Sequence, residues 1–231
     1  MKVVVFYVEG PSEQEFVKEV LGPYLNDRGI VWHPPILAAN STRKGRVARG
    51  GVRSYEPVKK DLLRLFRQFS SDTFIFTTLL DYYGLPDDFP SRNLPLIAGM
   101  TPLDKARSIE TAWKDDLGDR RFLPNLLLHE FETLVLVRPE SLLAPYPDMR
   151  QAVAELAQSI SGFASPEEIN DNPDTAPSKR IRRVFQKHRR RYDKISGGVL
   201  AVLELGLEAI RVECPKFDAW LGELESRAGE E

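Results

Sequence analysis

The stretch that most constrains this chain is Lys2 to Phe16, KVVVFYVEGPSEQEF. An unbroken apolar run from Val3 to Val8 has the length and β-branching of a strand buried on both faces. It stops at Glu9-Gly10, and a helix-start signal follows, Ser12 as N-cap with Glu15 three residues on, a capping-box spacing. Strand, acidic turn and helix in that order place a side chain at the carboxyl edge of a sheet, where α/β proteins bind ligands. Glu9 is the side chain so placed. Gly10 lets another group come close to the backbone beside it.

The rest of the chain repeats this unit. The first helix is expected over Glu13 to Leu25, with Phe16, Val20 and Leu21 inward. Ile30 to Leu37 reads as a second strand that either lies at a sheet edge or ends early, because Pro34-Pro35 cannot donate to a ladder. The pattern Val58, Leu62, Leu65, Phe66, Phe69 is an amphipathic helix. Thr73 to Leu80, TFIFTTLL, is a buried strand that runs into Asp81, an acid placed as Glu9 is placed. Thr101-Pro102 with Asp104 begins another helix, to about Asp116. Phe122 to Leu128 is an apolar stretch ending in His129-Glu130-Phe131-Glu132. This alternation predicts an α/β core over residues 1–139, a mostly parallel sheet with helices on both faces.

After Pro139 the character changes to a mainly helical extension, residues 140–231, expected to pack on the core. Helices are predicted over Met149 to Ile160, Val199 to Ile210 (with Gly206 inside it) and Phe217 to Leu224, and Ser165-Pro166 marks a further N-cap. Ser178 to Lys194, SKRIRRVFQKHRRRYDK, holds nine Lys or Arg and His188 against one Asp. Read as a helix it is a positive cylinder with a narrow apolar stripe of Ile181, Val184 and Phe185. Such a run is either a solvated face or a surface for a polyanion backbone, with Phe185 and Tyr192 available to stack on a base. A second basic stretch, Ala38 to Arg53, carries Arg43 and Lys44 among glycines and has the same two readings.

Composition excludes several classes. The 231 residues carry a net charge of −2 and one cysteine, Cys214, so neither a disulfide framework nor a cysteine-based zinc site can form within one chain. No apolar run has membrane-spanning length, and the opening residues lack a signal-peptide core; a soluble cytoplasmic protein is expected. Neither glycine-rich nucleotide loop occurs, and His129-Glu130 lacks the second histidine of a zinc protease. What remains is a set of strand-end acids, Glu9, Asp81 and Glu130 with Glu132 beside it. Crowded carboxylates either share protons or hold a cation. Magnesium (or manganese) suits oxygen ligands, and such a centre performs metal-assisted phosphoryl chemistry. Any one of these acids, and Glu13 and Glu15 more so, is also explained as a helix cap.

The sequence V-E-G-x-x-E after a first strand, followed by a hydrophobic strand ending in an acid, resembles the Toprim domain of topoisomerases, primases and the OLD family of nucleases. More closely, VEGPSEQEF, TTLLDYYGLPDDFP, HEFETLV, SPEEINDNPDTAPSKRI and RYDK look like the bacterial family known as domain of unknown function 4276. The Toprim resemblance implies a Rossmann-like fold, with Glu9 as general acid/base or metal ligand and Asp81 as the first acid of an Asp-x-Asp metal pair. Tyr83 stands where the second acid would be; Glu130, Glu132, Asp87 or Asp88 would have to replace it. With the strand-end acids the resemblance points to phosphodiester cleavage in DNA or RNA with Glu9, Asp81 and Glu130 catalytic, and the charge of the two basic stretches offers phosphate contacts from Arg43, Lys44, Lys179, Arg180, Arg189, Arg190 and Lys194. An ATPase partner in anti-phage defence is implied by the same analogy, and a non-catalytic module binding nucleic acid or a partner is the alternative.

Overall fold

A computed structural model describes residues 1–38, 52–93, 100–169 and 173–230. Its centre is a parallel sheet in the order β2-β1-β3-β4, from β1 (Val3–Val8), β2 (Val31–Leu37), β3 (Phe74–Asp81) and β4 (Phe122–Leu123), with β5 (Leu126–Leu127) pairing the end of β3. All pairs are parallel. This is an α/β fold of Rossmann-like character. The proline pair does put β2 at the edge, and the register slips by one residue between Val5–His33 and Tyr7–Ile36, a bulge at Pro34-Pro35.

Alternation along β1 divides the core into two layers. Val5 and Tyr7 face helices α3 (Tyr55–Gln68) and α4 (Pro102–Leu117) and pack with Leu62, Phe66, Ile109 and Trp113. Val4, Phe6 and Val8 face the other way, against α1 (Pro11–Phe16), α2 (Gly22–Asn26) and the C-terminal helices. Helix α4 starts as expected: Thr101 and Asp104 exchange bonds of 3.2 and 3.0 Å. The C-terminal residues share the second layer with the sheet. Phe217, Trp220, Leu221 and Leu224 of α10 (Pro215–Gly229) are buried there, and the Trp220 indole donates to Thr77 Oγ1 at 2.9 Å.

Several local expectations give way to specific physics. The first helix begins at Pro11 with Gly10 as its N-cap, and no side chain caps it. Proline presets the first helical φ, so Ser12 is drawn inside the helix and buried. The helix then passes through a π turn, Val17–Leu21, into α2. Pro23 has no N–H for the regular ladder, and the wider turn absorbs the defect. Phe122 to Leu128 is two short strands, because Pro124 interrupts the ladder; Thr78 Oγ1 bridges the gap by accepting from Asn125 N at 2.9 Å and donating to Asn125 O at 2.8 Å. The basic tract is helical only as α7 (Pro177–Lys187). Its buried stripe of Ile181, Val184 and Phe185 has no apolar successor one turn on, and Arg189 takes a left-handed φ of 56°. Gly206, at φ 81°, divides the next stretch into α8 (Ser196–Leu205) and α9 (Leu207–Glu213).

Candidate acid–lysine centre and arginine groove

Parallel strands deliver their carboxyl ends to one edge, and the acids gather there. Glu9 follows β1; its N–H donates to Leu79 O at 3.0 Å, and its Oε2 accepts from the Asp81 N–H at 2.8 Å. Asp81 is the last residue of β3, and its Oδ1 accepts from Phe131 N at 3.0 Å. These backbone bonds tie the ends of β1 and β3 and the start of α5 (Glu132–Val135) into one unit. Glu132, first in α5, is wholly buried at 0% exposure. Glu13 lies in the first turn of α1, buried, and a Cβ on Gly10 would stand 3.2 Å from its Oε2. The group that Gly10 admits is thus the carboxylate of Glu13.

The cation among them is Lys194. Its Nζ lies 3.2 Å from Glu132 Oε2, 3.6 Å from Asp81 Oδ2 and 4.0 Å from Glu13 Oε1. The contacts to Glu132 and Glu13 are ionic and not directed hydrogen bonds: neither oxygen of Glu132, nor Glu13 Oε1, accepts a hydrogen bond among the described residues. The Lys194 side chain is 30% exposed. One lysine does not neutralise the set. Burial, with the Asp81 charge, pushes Glu9 up to about 8. Burial, again with Asp81, carries Glu13 to about 7. Glu132 rises to about 7 through burial, with Lys194 opposing and Glu130 and Asp81 adding to the rise. Asp81 is raised by burial against the pull of Lys194. Burial alone would lower Lys194, yet Asp81, Glu132, Glu13 and Glu130 hold it well above the ordinary lysine range.

Glu130 is used differently. Its Oε2 accepts from Ser178 N at 2.9 Å, which caps the first turn of α7, and it acts on Asp81 and Glu132 through charge. His129 before it has a φ of 68°, and its Nε2 is 2.9 Å from Glu167 O. Tyr83, at the position of the second acid, donates its backbone N–H to His129 O at 2.9 Å. Asp88 caps α3 by accepting from Tyr55 N; Asp87 is exposed.

For a magnesium or manganese ion the donors are right in kind, hard carboxylate oxygens, and Glu132 has two that accept no hydrogen bond. They are wrong in arrangement. Among the described residues no three His, Cys, Asp or Glu side chains are grouped to hold a metal, and a lysine stands among the acids. The residues as placed do not fit the ion.

The basic residues separate into two groups. Arg180 is turned to local structure, with Nε donating to Thr175 O at 2.8 Å and the guanidinium over the Phe163 ring at 5.4 Å; Lys179 is exposed. Arg189 and Arg190 belong with Arg182, Gln186, Arg191 and Tyr192, which line an open groove. Lys194 is in the acid centre instead, two residues past Tyr192. Arg43 and Lys44 lie outside the described residues. Phe185 and Tyr192 are core residues, 0% and 6% exposed, with rings 5.7 Å apart; neither face is open to a base.

Glu13 and the true contacts of Lys194 are what sequence reasoning missed. A signal for Glu13 was present: it sits three residues before Phe16 and seven before Val20, on the buried stripe of its helix, where a carboxylate has a reason to be. Nothing in the sequence signals Lys194, whose contacts cross more than 180 residues to Glu13.

The family described as a domain of unknown function (DUF4276) matches residues 8–225, and the chain belongs to that family. No curated protein and no solved structure matches it.

Proposed function

We propose that this protein acts on phosphodiester bonds of nucleic acid, a Toprim-like nuclease-type activity centred on Glu9, Asp81, Glu13, Glu132 and Lys194. The observation that supports this reading is the juxtaposition of a buried, under-neutralised acid–lysine centre with an arginine-lined groove joined to it by the short run Arg189–Lys194. The arginines of the groove suit the phosphates of a nucleic-acid strand. Glu9, pushed up to about 8, holds a proton at neutral pH and is able to exchange it, as a general acid or base must. Lys194 offers a charge to a phosphate oxygen. Asp81 fixes the Phe131 backbone, and Glu13 and Glu132 keep Lys194 charged.

Nicking of plasmid and of single-stranded DNA and RNA, in magnesium, in manganese and in chelator, tests the reading. Glu9→Gln and Asp81→Asn are expected to abolish cleavage while leaving the circular dichroism spectrum unchanged. Cleavage that survives Glu9→Gln, or no cleavage under any condition, refutes it. A second reading, a non-catalytic module that binds nucleic acid or a partner protein such as an ATPase, is favoured by Tyr83 and by the lysine lodged where a metal is expected. In that case, reversing Arg189, Arg190 and Arg191 to Glu abolishes binding and Glu9→Gln does nothing.

A further inference from the structure

Arg182, Gln186, Arg189, Arg190, Arg191 and Tyr192 line one open groove, and no carboxylate is among them. All four arginines are exposed. Lys187 and His188, between the first arginine and the last three, both meet Glu155, at 2.8 and 3.4 Å. Among the described residues none of the four arginines forms an ion pair. Asp193 feels the charge of Arg191, but its Oδ1 is taken by Ile195 N and Ser196 N, at 2.9 Å each. Guanidinium groups gathered without a counter-charge repel one another. The backbone supplies a second observation. Arg190 N donates to Phe185 O and Arg189 N to Gln186 O, both at 2.9 Å, the paired bonds of a helix ending in which glycine usually takes the left-handed position. Arg189 takes it here, at φ 56°, where a Cβ is strained. A cation at the end of α7 answers the helix dipole, but Lys187 is already in that last turn, and glycine would make the turn with less strain. The turn alone does not call for an arginine; its side chain has a use in the groove.

We propose that the arginine groove is a clamp for the phosphate backbone of double-stranded nucleic acid, and that Arg189 holds a glycine's position, at some cost in stability, to complete it. The proposal rests on the nucleic-acid reading of the groove and is independent of the acid centre. Guanidinium groups fit phosphate oxygens in parallel pairs of hydrogen bonds. Proteins that hold a single strand add to its charge by stacking its bases on aromatic faces. This groove offers no such face. Tyr192, the one aromatic residue in its lining, is 6% exposed, and its ring lies 5.7 Å from that of the buried Phe185. Charge is then the main attraction, and it favours the ligand with the denser charge. A duplex carries one phosphate charge per about 1.7 Å of its axis, against about 3.4 Å along one strand.

Fluorescence anisotropy in chelator tests this, with the full chain, labelled DNA and RNA duplexes and their separated strands. Wild type is expected to bind at least one duplex more tightly than any strand, and the tighter of the two duplexes identifies the kind of nucleic acid. The slope of log affinity against log salt is expected at about −3.6 for four neutralised phosphates. Arg189→Gly is expected to weaken duplex binding, to take about 0.9 off the size of that slope, and to raise the urea midpoint of unfolding, because glycine relieves the left-handed turn. Arg191→Gln, outside the turn position, is expected to lose as much slope and to leave the midpoint where it is. Strands that bind as tightly as both duplexes, or no binding at all, overturn the proposal. So does an Arg189→Gly variant with unchanged duplex affinity or a lowered midpoint, and so does an equal rise in midpoint from Arg191→Gln. Duplex binding without cleavage in any metal counts against the phosphodiester-cleaving reading alone; cleavage of a duplex that Arg189→Gly binds as wild type does counts against this proposal alone.

Discussion

Replacing Glu132 by Gln should stabilise this protein at alkaline pH, against the usual expectation for a residue with an ion-pair partner. Glu132 is 0% exposed and has Lys194 at 3.2 Å, but Asp81 and Glu130 oppose its ionisation from the other side, and its charge also reaches the buried Tyr192. Burial outweighs the lysine, so the carboxyl rises from 4.5 to about 7. The folded protein then binds a proton that the unfolded chain has released, and stability falls with pH between these two values. The stabilisation is complete below 4.5 and is lost as pH rises to about 7. A rise of roughly 2.5 units at about 1.4 kcal/mol each comes to about 3 kcal/mol. Gln has the same shape and no charge to release. Urea unfolding in chelator at constant ionic strength should show Glu132→Gln ahead of wild type by under about 1 kcal/mol at pH 5 and by about 3 kcal/mol at pH 8. A variant less stable than wild type at pH 8, or a difference that does not change with pH, would mean that Lys194 outweighs burial and that the centre is a satisfied ion pair.

Two packing predictions check the frame around the site. Gly22→Ala drives a methyl group into the indole of Trp32 and toward Val17 O at 2.9 Å, both fixed by the π turn and the edge strand, so it should cost about 1–3 kcal/mol in urea unfolding; no loss would show that the helix can shift. Lys216→Met removes an ammonium that is 5% exposed and bonded to Glu110 Oε1 at 2.7 Å, Asn125 Oδ1 at 2.9 Å and Leu126 O at 2.6 Å. Leaving those acceptors unpaired should cost about 3–5 kcal/mol, and a cost under about 1 kcal/mol would show that water takes the place of the ammonium.

The two central strands were legible because each answers a local constraint. Val3–Val8 is apolar at every position and Thr73–Leu80 at all but its three threonines, as a strand covered on both faces needs, and an acid at the end of each announces the edge. Boundaries that depend on one proline were misread by a few residues, at Pro11 and Pro124, since proline's missing donor acts together with neighbours that sequence does not place. The basic tract was legible in charge and not in path. Nothing in RRRYDK tells that Arg189 turns left-handed, that Tyr192 goes into the core, or that Lys194, the last cation of the run, leaves the solvent side for the acids. Those turns are settled by contacts with Tyr146 and Asp81, both distant in sequence, and with Phe185 on the buried face of α7.

The last point bears on what the C-terminal third is for. Four acids on the sheet edge and helices α1 and α5, Glu9, Glu13, Asp81 and Glu132, come from residues before 140, and so does Glu130. The charge that makes their burial tolerable comes from Lys194. The helix dipole that Glu130 answers is that of α7, and the carbonyl that holds His129 belongs to Glu167. Glu167 in turn caps α10 through Lys216 N and Phe217 N, and α10 reaches the central strand at Thr77. Without residues 140–231 the edge would carry five carboxylates without Lys194, and His129 would lose the Glu167 carbonyl, and burying charge without its partner is costly. The extension therefore completes the acid centre, because Lys194 supplies the positive charge that Asp81, Glu13 and Glu132 share.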